Sequence, residues 1–152
     1  MKQTKTVLHH YLGTELEMIN NLGDRIFLNE LAFIIPYAFL ISEKPLKWKP
    51  ALHSINRLTM PLENGEIPIL ELAKIAFPDW EFELNKSGAI ARKHFSRIFF
   101  YWCDTYFSAF DETAKSIDVP NQIRLIDYFH KKHFNLYGLS ESEYIEKSTL
   151  KI

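Results

Sequence analysis

Residues 119–139 read VPNQIRLIDYFHKKHFNLYGL and carry the clearest structural pattern in the chain. Pro120 suits the first turn of a helix, because its missing N–H would have no partner there. Apolar and aromatic side chains then recur every three or four residues up to Tyr137, which places them on one side of a helix. Gly138 follows, as expected where a helix ends in the left-handed conformation. The stretch therefore predicts a helix whose apolar side packs against a larger layer.

The composition is that of a globular protein. The chain has 152 residues, of which 47% are hydrophobic and 14% aromatic, enough to bury a sizeable core. A formal net charge of −1 provides no global attraction to nucleic acid or anionic lipid. The single cysteine, Cys103, cannot form an internal disulfide, which suits a reducing compartment. With no apolar run of signal-peptide or membrane-span length, we expect one cytoplasmic domain over residues 1–152.

The first third of the chain predicts a small antiparallel β-meander. Residues 6–12 suggest a short, weak helix. Residues 14–19 alternate apolar and acidic side chains at the period of a half-buried strand, and residues 20–24 form an Asn/Gly/Asp turn cluster. Residues 25–35 predict a second strand with a bend at Asn29 and Glu30, because the turn cluster favours a strand over the alternative of a helix. Residues 37–41, after Pro36, predict a third strand. Three prolines between residues 42 and 61 predict mostly loop, with at most one short strand or helical turn.

Helices are expected to dominate the second part of the chain. Residues 68–78 predict a helix and residues 79–84 a strand. Apolar residues at three-and-four spacing predict a long helix over Ala89–Ala114. The chain would then be strand-rich over 1–60 and helix-rich over 66–139, with a polar tail over 140–152. This segregation predicts an α+β fold, with a small N-terminal antiparallel β-meander packed against two or three C-terminal helices.

The predicted long helix supplies the first candidate binding surface. It is apolar over more than half of its circumference, and such a helix is either buried between layers or used at an interface. Phe100, Tyr101 and Phe107 are therefore candidate contacts with a protein partner or with a second copy in a homodimer. The alternative is that this second apolar line is covered within one chain.

A lysine-rich loop supplies the second candidate surface. Lys47 and Lys49 flank Trp48, and Arg57 follows in the same segment, residues 44–57. Cations of this kind neutralise phosphates, while an exposed tryptophan stacks on a base. The alternative is a solvated loop whose Trp48 covers the edge of the sheet. The near-zero net charge favours this alternative, so nucleic acid is not the expected partner.

The sequence offers no recognisable catalytic constellation. His130 and His133 lie three residues apart on a predicted helix and could share a metal ion, but the other histidines lack ligand spacing. The alternative is that both edge the apolar side of the helix. Cys103 lies in apolar surroundings, where a thiol is unreactive. No GxSxG, P-loop, GxGxxG or paired-carboxylate pattern occurs. We predict no catalytic residue, no metal and no cofactor.

Two segments resemble proteins of a known kind. Residues 52–75, LHSINRLTMPLENGEIPILELAKI, and residues 122–145, QIRLIDYFHKKHFNLYGLSESEYI, are similar to segments of small uncharacterised proteins encoded by prophages and mobile elements of gut Bacteroidetes. In those proteins the first segment links a β-rich part to a helical part, and the second, with its "HFN" and "GL", closes the chain. The resemblance implies a phage or mobile-element setting inside a bacterial cell and implies no activity.

Together these observations predict a non-enzymatic, phage-type protein that acts through protein–protein contact. The alternative hypothesis is a nucleic-acid-binding accessory protein that uses the Lys/Trp loop at residues 44–57.

Overall fold

The computed structural model describes residues 7–31, 47–103 and 105–150. The strands in this part of the chain are β1 Glu17–Asn20, β2 Arg25–Phe27, β3 Trp48–Leu52, β4 Glu81–Asn85, β5 Gly88–Lys93, β6 Ser96–Cys103, β7 Tyr106–Asp111, β8 Ser116–Ile117 and β9 Ile145–Glu146. Two α-helices begin and end within the described residues, α1 Pro68–Ala76 and α2 Gln122–Lys131. The 3₁₀ turns in this part of the chain are His9–Tyr11, Ile55–Arg57 and Lys147–Thr149. The predicted α+β class is confirmed.

The chain forms two compact units. The first unit is Met1–Ser54 with Phe129–Ile152, and the second unit is Ile55–Tyr128. The expectation of one independently folding domain stays a prediction.

The first unit contains a four-stranded sheet in the order β2-β1-β3-β9. The predicted β1–β2 hairpin is confirmed, with Met18 opposite Ile26. Asn20 forms its turn, because its side-chain oxygen accepts hydrogen bonds from the N–H groups of Leu22 and Asp24, each at 2.9 Å. β3 runs antiparallel to β1. The predicted polar tail supplies β9, which pairs parallel with β3.

The core of the first unit is built from both ends of its sequence. Its buried members are Val7, Tyr11, Leu16, Met18, Leu28, Leu31, Leu52 and Leu139. Residues 7–11 are helical, as predicted for the short N-terminal helix. Burial of this apolar set is the main stabilising term for the unit, at about 25 cal/mol per Å².

The second unit contains an antiparallel sheet in the order β4-β5-β6-β7-β8. The predicted helix after Pro68 and the predicted strand after Pro78 are confirmed as α1 and β4, and α1 packs on β4 and β5. One face of the sheet is buried with the apolar side of α1. The buried side chains on this face are Ala89, Ala91, Ile98, Phe100, Phe107 and Ala109.

The prediction of a long helix over Ala89–Ala114 is wrong. This segment forms the antiparallel strands β5, β6 and β7. Aromatic residues occupy so many positions between 95 and 110 that their spacing fits the helical period of about three and a half residues as well as the strand period of two. Aromatic side chains favour strands, because they pack well on a pleated surface. Residues 66–139 therefore hold a five-stranded sheet besides α1 and α2, and are not mainly helical.

Two further boundaries differ from the predictions. The last helix ends at Lys131 and not near Tyr137, because His133 adopts the left-handed conformation with φ 62°, which a helix does not continue through. The second predicted strand is shorter than expected, since β2 ends at Phe27 and residues 28–31 are helical. Residues 32–35 of that prediction, and the third strand predicted over 37–41, lie outside the described residues.

Candidate protein-binding surface

The second sheet has an outer face, defined here as the side opposite Phe100. Directly opposed residues of an antiparallel pair share one face. The register pairs Ile90 with Phe99, and Phe99 with Phe110, in one row across β5, β6 and β7. The next row pairs Tyr101 with Ser108. Since successive side chains alternate between faces, these residues lie opposite the buried row of Ala89, Phe100 and Ala109.

Aromatic rings pack against one another along the outer face. The rings of Phe99 and Phe110 stack, with centroids 5.3 Å apart and planes 27° apart. Tyr101 meets Phe110 edge to face, with centroids 5.7 Å apart. All three side chains are only half-buried. Large aromatic surface that remains in contact with water on a rigid sheet is a common feature of interaction sites.

A groove of about 270 Å³ lies at one end of the outer face. Its walls include the rings of Phe99, Tyr101 and Phe110, and Asn85 and Ser87 of the β4–β5 turn contribute polar groups. Gly88 also lines the groove, and a Cβ at this residue would lie 2.2 Å from the carbonyl oxygen of Phe100. Only glycine therefore allows β5 and β6 to approach each other this closely beneath the groove.

The charges on the outer face are mixed in sign. Arg92 and Arg97 are opposed across β5 and β6, and Arg92 donates a hydrogen bond to Glu83 at 2.6 Å. Glu81 is opposed to Arg92 on the other side. Two arginines and two glutamates thus balance on one face. The second unit as a whole has eight Lys and Arg against eleven Asp and Glu, so it lacks the basic character typical of nucleic-acid interfaces.

Phe95 stands at the tip of the β5–β6 hairpin, at the other end of the outer face. It is fully exposed, and the flanking pair Lys93 and Ser96 closes the ladder beside it. His94 precedes it in the left-handed conformation, with φ 55°. A two-residue loop with a positive φ at its first position matches the right-handed twist of the strands. The hairpin therefore presents Phe95 to solvent at a tight turn.

The structure corrects the first candidate surface, which was predicted to consist of Phe100, Tyr101 and Phe107. Phe100 and Phe107 are 1% and 5% exposed, and their rings stack on each other with centroids 5.2 Å apart. They belong to the core of the second unit, so the prediction that they form a binding surface is wrong. Tyr101 lies on the opposite face and remains a candidate contact. Strand alternation through the run IFFYW would have identified Phe99 in place of Phe100.

Three of the four residues of the second candidate surface lie at or just before the start of β3 in the first unit, namely Lys47, Trp48 and Lys49. Trp48 is half-buried and packs against the core of the first unit, so its ring is not presented for stacking on a base. It belongs to strand β3, so the alternative of a solvated loop is also wrong at this residue. Lys49 is half-buried and Lys47 is exposed. Arg57 belongs to the 3₁₀ turn of the second unit.

His130 and His133, which the sequence offered together as metal ligands, contact different partners. The His130 ring nitrogen lies 2.6 Å from the Tyr137 hydroxyl, and the His10 ring stacks on Tyr137. Nε2 of His133 lies 2.6 Å from the carbonyl oxygen of Thr14. Within residues 7–31, 47–103 and 105–150, no group of three or more metal-ligating side chains comes together.

His133 is held as a neutral imidazole by its contacts. Because a carbonyl only accepts, Nε2 carries the proton toward Thr14, and Nδ1 accepts from Lys147 Nζ at 2.5 Å. Burial, together with the nearby charge of Lys147, lowers the pKa of His133 to about 4. The neighbouring Tyr11 hydroxyl donates to the carbonyl of Phe134, and burial raises the pKa of Tyr11 well above its usual range. These groups connect distant parts of the first unit.

Cys103 lies at the end of β6 and is half-buried, not inside an apolar helix as predicted. No helix among the described residues is long and apolar enough to cross a membrane. Comparisons with protein-family models, with curated proteins and with solved structures gave no match.

Proposed function

We propose that this protein acts without catalysis, by binding another protein surface through the outer face of its five-stranded sheet. The observation that carries the proposal is the row of Ile90, Phe99 and Phe110, with Tyr101 beside it, which stays partly accessible to water on the sheet. Aromatic residues are enriched at the centres of protein interfaces, where they fill pockets and exclude water.

The choice of a protein over a nucleic acid rests on charge and ring geometry. Arg92 is engaged by Glu83, and the second unit carries more acidic than basic residues. A strand of nucleic acid would meet little of the positive groove that tracks its backbone. The Phe99 and Phe110 rings stack on each other, so much of their flat surface is already occupied and does not serve as a platform for bases.

The setting of this activity remains an expectation from the sequence. We propose that the protein works in the cytoplasm of a bacterium that carries a prophage or mobile element. The support is the resemblance of residues 52–75 and 122–145, together with the lone Cys103, which fits a reducing compartment.

The test compares binding by the tagged wild-type chain with binding by a double variant, Phe99→Ser with Phe110→Ser, in cells that encode the protein. Leu22→Ser is the control, because Leu22 is an exposed apolar residue of the β1–β2 turn. We expect a defined protein to be retained by the wild type and the control and lost from the double variant. Equal retention by all three, or retention of nuclease-sensitive material alone, would overturn the proposal.

A further inference from the structure

We propose that the contact between Lys147 and His133 is a proton-operated latch. It holds the 147–149 turn, the 3₁₀ turn Lys147–Thr149, on the first unit while the imidazole is neutral, and it releases this turn when the imidazole gains a proton. The inference concerns the first unit alone, so it goes beyond the proposed function and does not depend on it. It is carried by the hydrogen bonds of His133, the charges around its ring and the separate attachment of Glu146.

The His133 ring is held at both of its nitrogens. Nε2 lies 2.6 Å from the carbonyl oxygen of Thr14, which only accepts, so Nε2 carries the proton of the neutral ring. Nδ1 lies 2.5 Å from Nζ of Lys147. An ammonium group only donates, so Nδ1 is the nitrogen without a proton. His133 is 6% exposed, and its two contacts together require one neutral tautomer.

A second proton on the His133 ring is incompatible with the Lys147 contact. The proton would sit on Nδ1, so an N–H group and an ammonium group, both of which only donate, would face each other. Two positive charges would also meet at a buried site, where solvent screens their repulsion less than at the surface. The bond to Thr14 is preserved, because Nε2 keeps its proton. The Lys147 side chain is therefore the group that moves away.

The other groups around the ring also favour its neutral form. Burial lowers the pKa of His133 most, and the charges of Lys147 and Lys132 lower it further, to about 4, although the bond to Thr14 raises it. The Tyr11 hydroxyl donates to the carbonyl of the residue after His133. Burial raises the pKa of Tyr11 well above its usual range, so it adds no charge here. The latch is therefore closed near pH 7 and opens in acid.

Glu146, the residue before the turn, is attached independently of His133. Its Oε2 accepts a hydrogen bond from the N–H of Ser54 at 2.8 Å, and its Oε1 lies 3.8 Å from Nδ1 of the buried His53. Glu146 also pairs with Leu52 in the ladder of β9 and β3. A proton on His133 places no second donor against these contacts, and a proton on His53 would strengthen its attraction to the carboxylate. We therefore expect β9 to stay in place when the 147–149 turn is released.

An NMR titration of the full chain between pH 7 and pH 4 tests the latch. The chemical shifts of the His133 ring report its protonation, and the ¹H–¹⁵N heteronuclear NOE values of Ser148 and Thr149 report the order of the turn on the ps–ns timescale. We expect both signals to change with one midpoint, below the ordinary histidine value of about 6.5. The amides of Met18 in β1 and Ile145 in β9 should keep their native shifts and NOE values.

Two lysine variants show whether Lys147 is the group that the proton displaces. Lys147→Met keeps the length of the side chain and removes its charge, so the His133 midpoint should rise by about 1 pH unit. The NOE values of Ser148 and Thr149 should then no longer depend on pH. Lys131→Met is the control, because Lys131 is an exposed lysine two residues before His133, and the His133 midpoint should stay unchanged. A purely structural Lys147 would not move the His133 titration.

Three results would overturn the latch. The first is a His133 midpoint that is the same in Lys147→Met as in the wild type. The second is a turn that loses its order at a pH different from the His133 midpoint, or that keeps its order throughout. The third is the loss of the native Met18 signals at the His133 midpoint, because the first unit would then unfold as a whole and not release one turn.

Discussion

Phe99 and Phe110 stack across β6 and β7 with ring centroids 5.3 Å apart, on the side of the sheet opposite the stacked pair Phe100 and Phe107. Two aromatic pairs thus lie back to back on the same two strands. The pair on the inner face is buried, with 1% and 5% of the two side chains exposed. The pair on the outer face is only half-removed, so it can bury further surface against a partner.

The two pairs should respond differently to truncation. Phe100→Ala should lower the free energy of unfolding of the second unit by about 3–5 kcal/mol, because it leaves a cavity in the core. Phe99→Ala should cost about 1 kcal/mol, which is the contribution of one aromatic pair at a surface. Urea denaturation at low protein concentration measures both values. Equal losses would mean that the outer pair is also part of the core.

Gly88→Ala should disturb both the sheet and the groove. The new Cβ would lie 2.2 Å from the Phe100 carbonyl oxygen and 2.8 Å from the Tyr101 Cβ, so the backbones must move apart. We expect a loss of about 1–3 kcal/mol in thermal or urea unfolding, as for overpacked sites. Ser87→Ala, at the exposed neighbouring position, should stay within about 0.5 kcal/mol. An unchanged Gly88→Ala stability would contradict the close approach of β5 and β6.

His133 should make the first unit less stable in acid. Its pKa is lowered to about 4 in the folded chain and is about 6.5 when unfolded, so the unfolded chain binds more protons between these values. Stability is therefore fully present above about pH 6.5 and is lost as the pH falls toward 4, by up to about 3 kcal/mol. Unfolding measured across pH 4–7 tests this dependence.

A matched pair of variants assigns that pH dependence. His133→Asn should flatten the curve, because asparagine keeps the left-handed backbone and does not titrate in this range. His94→Asn is the control, since His94 is exposed and has the same left-handed conformation, with φ 55° against 62°. A curve that stays equally steep in His133→Asn would show that another group is responsible.

Tyr128→Phe should destabilise the second unit by about 1 kcal/mol, as the loss of one hydrogen bond does. The Tyr128 hydroxyl donates to the Glu66 carboxylate at 3.1 Å, and burial raises the pKa of the tyrosine well above its usual range. Glu66→Gln in the same background completes a double-mutant cycle. A coupling free energy near zero would show that this hydrogen bond contributes nothing.

Local signals made much of the fold predictable. The turn cluster after Ile19, the proline that opens α1 and the acidic alternation in β4 each depend on a few neighbouring residues, and their elements formed as expected. The pairing of β9 with β3 had no such signal, because residues far apart in the sequence make it. The same is true of the contacts of His133 with Thr14 and Lys147.

The candidate surface could be predicted only in part. The error arose because the apolar spacing of residues 89–114 was assigned to a helix and not to strands. In the run IFFYW, residues 98–102, both faces of the strand are apolar, so the binary pattern does not distinguish strand from helix. The turn at His94 and Phe95 lacks the Asn-Gly or Gly that announces a tight hairpin. Once the segment is a strand, alternation alone replaces Phe100 by Phe99 and keeps Tyr101 as residues of the outer face.

Site-specific photocrosslinking from residue 101 tests the central claim most directly. A benzophenone side chain replaces Tyr101 on the outer face, or Glu112 in the exposed β7–β8 turn as the control, and cells that encode the protein are irradiated. We predict a protein adduct from position 101 that is absent from position 112 and is lost when Phe99 and Phe110 are serine. No protein adduct from position 101, or the same adducts from both positions, would contradict the account.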